Sequence, residues 1–154
     1  MRIHITDPHI GQLQVTPSEW ADEGTIKFDM NERVVGVPGE AFDFMEWYEG
    51  WRSMNSISVH IRPTHLRVTA VDEFTALIPW GQLKQAAIQY AIHGEPLTKG
   101  YPIRLYVPNG TSDCLNVKGV VHVELLYESD LGDEAAFGFK NQIKLEDMFT
   151  CKGE

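Results

Sequence analysis

Six histidines, two cysteines and one acidic loop are the first places to look for chemistry in this sequence. The histidines are His4, His9, His60, His65, His93 and His122. His4 and His9, like His60 and His65, are separated by four intervening residues. In strand or loop that spacing does not put both rings on one face, so it describes no zinc site. Cys114 and Cys151 show no C-x-x-C spacing and are too few for a disulfide framework. The sequence admits one bridge between them, with reduced thiols the preferred reading for a cytoplasmic chain. Asp130, Asp133 and Glu134 could attract a cation but lack the EF-hand pattern, and read as a solvated loop. No nucleophile elbow, P-loop or dinucleotide fingerprint occurs, which removes support for those enzyme classes.

The bulk properties bound what such residues could serve. At 154 residues the chain has the length of one domain, taken here as 1–154, with enough material to bury a sizeable core. Hydrophobic residues at 43% and charged residues at 23% are ordinary globular values, which excludes disordered and fibrous classes. The 22 acidic and 13 basic residues leave a net charge of −9, and no run of lysines or arginines makes a basic patch. Such a surface repels phosphate backbones, so nucleic acid is not an expected partner. A small anionic ligand would need local positive groups acting against the global field. Apolar runs such as Ala86 to Ile92 are too short to span a bilayer, so no membrane is expected. The opening MRIHITDPHIG lacks the apolar stretch and cleavage site of a signal peptide. The compartment expected is therefore the cytoplasm; the oligomeric state is not fixed by these observations.

The elements that must position any site read as short strands with few helices. Arg2 to Thr6 alternates, Gln12 to Val15 is a second extended piece, and Thr16-Pro17-Ser18-Glu19 has the look of a helix start that Gly24 ends. Thr25 to Met30 and Arg33 to Val37 predict a hairpin around Asn31-Glu32. A helix is expected from about Ala41 to Trp51, with Ala41, Phe44, Met45, Tyr48 and Trp51 forming a core stripe. Strands are expected over Ser56 to Ile61, Leu66 to Val71, Phe74 to Ile78, Ile103 to Val107, Val120 to Tyr127 and Gly138 to Ile143, with a terminal helical turn over Leu145 to Phe149. Gln85 to Ile92 fits either helix or strand. The absence of a regular βαβ rhythm predicts an α+β fold with mixed or antiparallel sheets and few short helices.

One stretch carries a resemblance. It reads AIQYAIHGEPLTKGYPIRLYVPNGTSDCLNVKGVVHVELL, and Gly94, Pro96, Leu97, Gly100, Pro102, Arg104, Leu105, Val107, Pro108, Val117 and Lys118 fall in order. This resembles the part of sulfite-oxidase-type molybdopterin-binding domains where N-G-x-P-L is followed by P-x-R-L-x-V-P, a loop and V-K. Val68 to Phe74 resembles that family's S-x-D-G-Y strand end, and Val35-Gly36-Val37-Pro38 its W-x-G-V-x-L. The similarity covers about Thr69 to Leu126, roughly a third of the chain. It implies the family's fold, makes Ala87 to Ile92 a strand, and implies molybdopterin as the cofactor. In such domains the loop after V-P wraps the pterin, and donors there hold its terminal phosphate. The resemblance thus puts cofactor contacts on Arg104, Thr111, Ser112, Cys114 and Lys118, because a guanidinium offers a bidentate fork, an ammonium a point charge and the loop its hydroxyl and backbone donors. For Arg104 the competing reading is a strand cation paired with a sheet neighbour, and for Lys118 a solvated side chain.

The family pattern breaks at the metal. Its single cysteine thiolate should fall near Lys27 to Asn31, which here reads KFDMN, and both cysteines of this chain lie in the second half. A soft metal needs an anionic sulfur, whereas Met30 is a neutral thioether and Asp29 a hard ligand. Gly119 also stands where the family usually has tryptophan. These departures favour a non-catalytic ligand-binding or interaction module over the alternative, a molybdopterin-dependent oxidoreductase with an unusual ligand set that could include Cys114. No catalytic residue and no metal ligand is assigned.

Overall fold

Alternation of apolar residues at period two dictates most of this architecture. In the first strand Ile3 and Ile5 are fully buried while His4 and Thr6 face the other way, and a similar division recurs in several later strands. The structure, a computed structural model, describes residues 1–139 other than 25 and 59. Its strands are β1 Ile3–Asp7, β2 Gly11–Val15, β3 Lys27–Asp29, β4 Glu40–Asp43, β5 His65–Ala70, β6 Phe74–Pro79, β7 Ala87–Ile92, β8 Glu95–Pro96, β9 Arg104–Tyr106, β10 Val117–Lys118, β11 Val120–Leu126 and β12 Ala136–Phe139. Its α-helices are α1 Pro17–Glu23 and α2 Phe44–Met54.

The strands form two sheets among the described residues. The first runs β12-β6-β5-β11-β1-β2, and the second β10-β9-β7-β4-β3 with β8 added beside β7. Every pairing is antiparallel except β1 with β11, where His4, Ile5 and Thr6 lie beside His122, Val123 and Glu124. The fold is therefore α+β with one mixed and one antiparallel sheet.

One core joins the inner faces of both sheets and the two helices. Ile3, Ile5, Leu66, Val68, Val123 and Leu125 come from the first sheet, and Phe42, Ile88, Leu105 and Val117 from the second. Trp20 of α1 and Phe44, Trp47 and Tyr48 of α2 fill the space between them. A smaller cluster of Met30, Ala41 and Ala87, flanked by Phe28, Val34, Val37 and Tyr106, covers the opposite face of the second sheet.

Local signals explain the helices. Thr16 caps α1 through a reciprocal box with Glu19, Pro17 opens the first turn and Gly24 closes it. In α2, Asp43 accepts from the Glu46 amide at 2.7 Å and is ion-paired to Arg33 at 2.8 Å. A cap of this kind contributes about 1 kcal/mol.

Three expectations need correction. The partner of β3 is β4, not Arg33 to Val37, which follows a 3-10 turn at Met30–Glu32 and packs Val34 and Val37 into the small cluster without pairing. The helix expected from Ala41 begins at Phe44, because Ala41 and Phe42 belong to a strand whose two faces feed two different clusters. Ser56 to Ile61 forms no strand among the described residues; Ser56 has φ 55° and Ile61 is exposed. A strand does form here, over Ala136–Phe139, and overlaps the one expected over Gly138 to Ile143 at residues 138 and 139; residues 140–143 lie outside the described residues. The turn over Leu145 to Phe149 lies outside them.

Candidate ligand-binding site

Register on the second sheet decides which of the expected site residues meet. Leu105 pairs with Val117 and both enter the core, so Arg104 and its partner Lys118 stand together on the opposite face. On its other side Arg104 pairs with Gln89 of β7. The row Lys118, Arg104, Gln89 thus runs from an exposed edge to a fully buried amide.

The arginine and the glutamine of this row are each held by a hydrogen bond but not fully partnered. Arg104 Nη1 donates to the Tyr106 hydroxyl at 3.3 Å, while its Nε is buried without a partner. Gln89 Nε2 donates to the Pro38 carbonyl at 2.7 Å, and its Oε1 is also buried and unpartnered. Gly100, at φ +81°, lies flat against the arginine: a Cβ there would stand 2.6 Å from Arg104 Nε and 2.8 Å from its Cγ. Glycine is required on both counts, sign of φ and space.

Two like charges directly opposite on neighbouring strands repel. Neither Arg104 nor Lys118 has a carboxylate ion-pair partner among the described residues. A guanidinium fork beside an exposed ammonium suits a phosphate or carboxylate, which would quench the repulsion.

The loop between β9 and β10 is folded back on itself. Thr111 donates from its amide and hydroxyl to Gln82 Oε1 at 3.0 and 3.3 Å. Ser112 Oγ accepts from the Cys114 amide at 3.1 Å, capping a 3-10 turn at Asp113–Leu115. Asn116 Oδ1 accepts from the Val107 amide at 2.7 Å and closes the neck. Cys114 is buried in the main core. No hydrogen bond joins Thr111, Ser112 or Cys114 to Arg104 or Lys118 among the described residues. There is no free cysteine among those residues, so the expectation of a reduced thiol fails at Cys114; Cys151 lies outside them.

No protein-family model, curated protein or solved structure matches the chain.

The residues of the chain itself test the molybdopterin expectation. Met30 is fully buried against Ala41 and Ala87, and the Asp29 carboxylate is occupied capping Asn31 at 2.9 Å. No group of three or more His, Cys, Asp or Glu side chains suited to a metal occurs among the described residues. The donors do not fit the metal half of that cofactor, and no chemistry is derived through it. The pairing of Arg104 with Lys118 fits a phosphate-bearing end.

Sequence spacing missed a second polar centre. Asp7, at the end of β1, is buried, and its Oδ2 accepts from Tyr48 at 2.7 Å and Tyr127 at 2.8 Å, while its Oδ1 accepts from the His9 amide at 2.8 Å. The two phenol oxygens are 2.9 Å apart. Burial pushes the Tyr48 phenol up to about 12, with the Asp7 carboxylate adding to the rise. Burial and the bonds to Tyr48 and Asp7 push Tyr127 up as well. These groups come from β1, α2 and the residue after β11, so no local motif announces them.

Proposed function

We propose that this chain is a ligand-binding module, not an enzyme, which holds a small phosphate-bearing molecule on the outer face of its second sheet. The single observation that carries the reading is the cross-strand pairing of Arg104 with Lys118, with Arg104 Nε buried and lacking a partner. Together with the sequence resemblance, it favours a divergent relative of molybdopterin-binding domains that keeps the anion-holding positions without the metal ligand. The oxidoreductase alternative has less behind it, since Cys114 is buried and not a free thiol.

Inorganic pyrophosphate is a suitable probe. At a hundredfold excess over Kd it should stabilise the folded chain by about 2.7 kcal/mol, read as a rise in Tm. Arg104→Gln and Lys118→Ala should each lose most of that rise. An equal rise in both variants, or none in the wild type, overturns the site. Metal analysis of protein made in a molybdenum-replete host should find no stoichiometric molybdenum; metal with releasable pterin would restore the oxidoreductase reading.

A further inference from the structure

We propose that His4 and His122 form a surface chelating pair for a borderline-soft divalent ion such as Zn2+. The two residues are register partners on the only parallel strand pair of the described sheets. Because Ile3, Ile5, Val123 and Leu125 point into the core, both imidazoles project from the outer face of the first sheet. His122 is exposed and His4 half-buried.

The ring separation fits shared coordination, and because the rings meet edge to face, one must turn about its side-chain bonds to aim a nitrogen at the same ion. The imidazole centroids are 5.2 Å apart with their planes at 63°. A metal–nitrogen bond of about 2.0–2.1 Å, extended to the ring centre, puts each centroid roughly 3.2 Å from a shared ion, and a tetrahedral angle then separates the centroids by about 5.2 Å. Among the described residues no hydrogen bond occupies either ring, so the nitrogens are open to a metal. The neighbouring partners in the same row are Gln14 beside His4 and Thr69 beside His122, which supply oxygen atoms at the rim. Glu124, two residues along the same face, adds negative charge but is engaged by Arg67.

Imidazole pairs favour Zn2+ and Cu2+ over Mg2+ or Ca2+, whose preference is for oxygen. Two protein ligands leave the remaining positions to water, so the site exchanges its ion readily and is unlike a closed structural zinc centre. A chain of net charge −9 also concentrates cations near its surface. The pair involves no residue of the Arg104 region and stands or falls separately from the anion site.

The test is a calorimetric titration of the full chain with ZnCl2, followed in parallel through the imidazole proton resonances. One ion per chain should bind, with the His4 and His122 signals moving together. His4→Gln and His122→Gln should each weaken binding by about tenfold or more, whereas His93→Gln should leave it unchanged. Metal-free melting curves of the variants check that folding is intact. Unaltered affinity in either variant, movement of other histidine signals instead, or no binding under excess zinc overturns the proposal.

Discussion

The Asp7 centre and the Arg104 row are both polar groups set against apolar surroundings, yet they are finished in opposite ways. Asp7 is nearly inaccessible and its carboxylate accepts three hydrogen bonds, from Tyr48, Tyr127 and the His9 amide. In the Arg104 row two cations face each other, and a guanidinium nitrogen and an amide oxygen are left without partners. A buried charge that is completely satisfied ties elements together, whereas the Arg104 row keeps two buried polar atoms unmatched beside an exposed ammonium at the sheet edge. The contrast is consistent with the proposal that the first region serves architecture and the second recognition.

The largest effect expected from that division is on stability. Asp7→Ala removes the common acceptor of two phenols and an amide, and should cost about 3 kcal/mol in a urea unfolding experiment. Gly100→Ala should cost about 1–2 kcal/mol through its positive φ and its collision with the Arg104 side chain, and should weaken pyrophosphate binding as well. Tyr48→Phe should cost about 1 kcal/mol by deleting one bond of the Asp7 centre. It should also alter the alkaline limb of stability. The folded chain holds the Tyr48 proton more tightly than the unfolded one, with a value of about 12 against an ordinary 10.0. This contribution is therefore complete below pH 10 and is lost as pH climbs toward 12. Unfolding midpoints measured across that range should fall less steeply in the phenylalanine variant. The smallest effect should come from Lys118→Ala without ligand: a change within about 0.5 kcal/mol, on the stabilising side, because a like-charge opposition disappears. A large loss there would mean that Lys118 supports the fold, and the comparison would collapse.

Local rules made part of this molecule readable. The TPSE sequence announces α1 because its capping box is complete within four residues, and Leu66, Val68 and Ala70 announce β5 by alternation. Resemblance, not pattern, chose strand for Ala87–Ile92, where both faces of the strand are buried and alternation of polarity disappears. What failed depended on partners distant in sequence. Val34 and Val37 look like strand residues but fill the small cluster as a loop, and nothing nearby shows that β3 will pair with Glu40–Asp43 instead. Resemblance singles out Arg104 and Lys118 separately as candidate cations, but their shared face follows from a register that only the folded sheet displays. His4 drew attention through its spacing to His9, yet its neighbour is His122.

The parallel pairing of β1 with β11 has a consequence for how the molecule comes into being. A segment at residues 3–7 finds its place only between β2 and a strand spanning residues 120–126. On a ribosome the early hairpin of β1 and β2 must wait, one edge open, until more than a hundred further residues have emerged. Contacts of such long range slow folding and leave an unpaired edge exposed meanwhile. Temperature or crowding during synthesis should therefore limit the yield of native protein more than the stability of the finished chain would suggest.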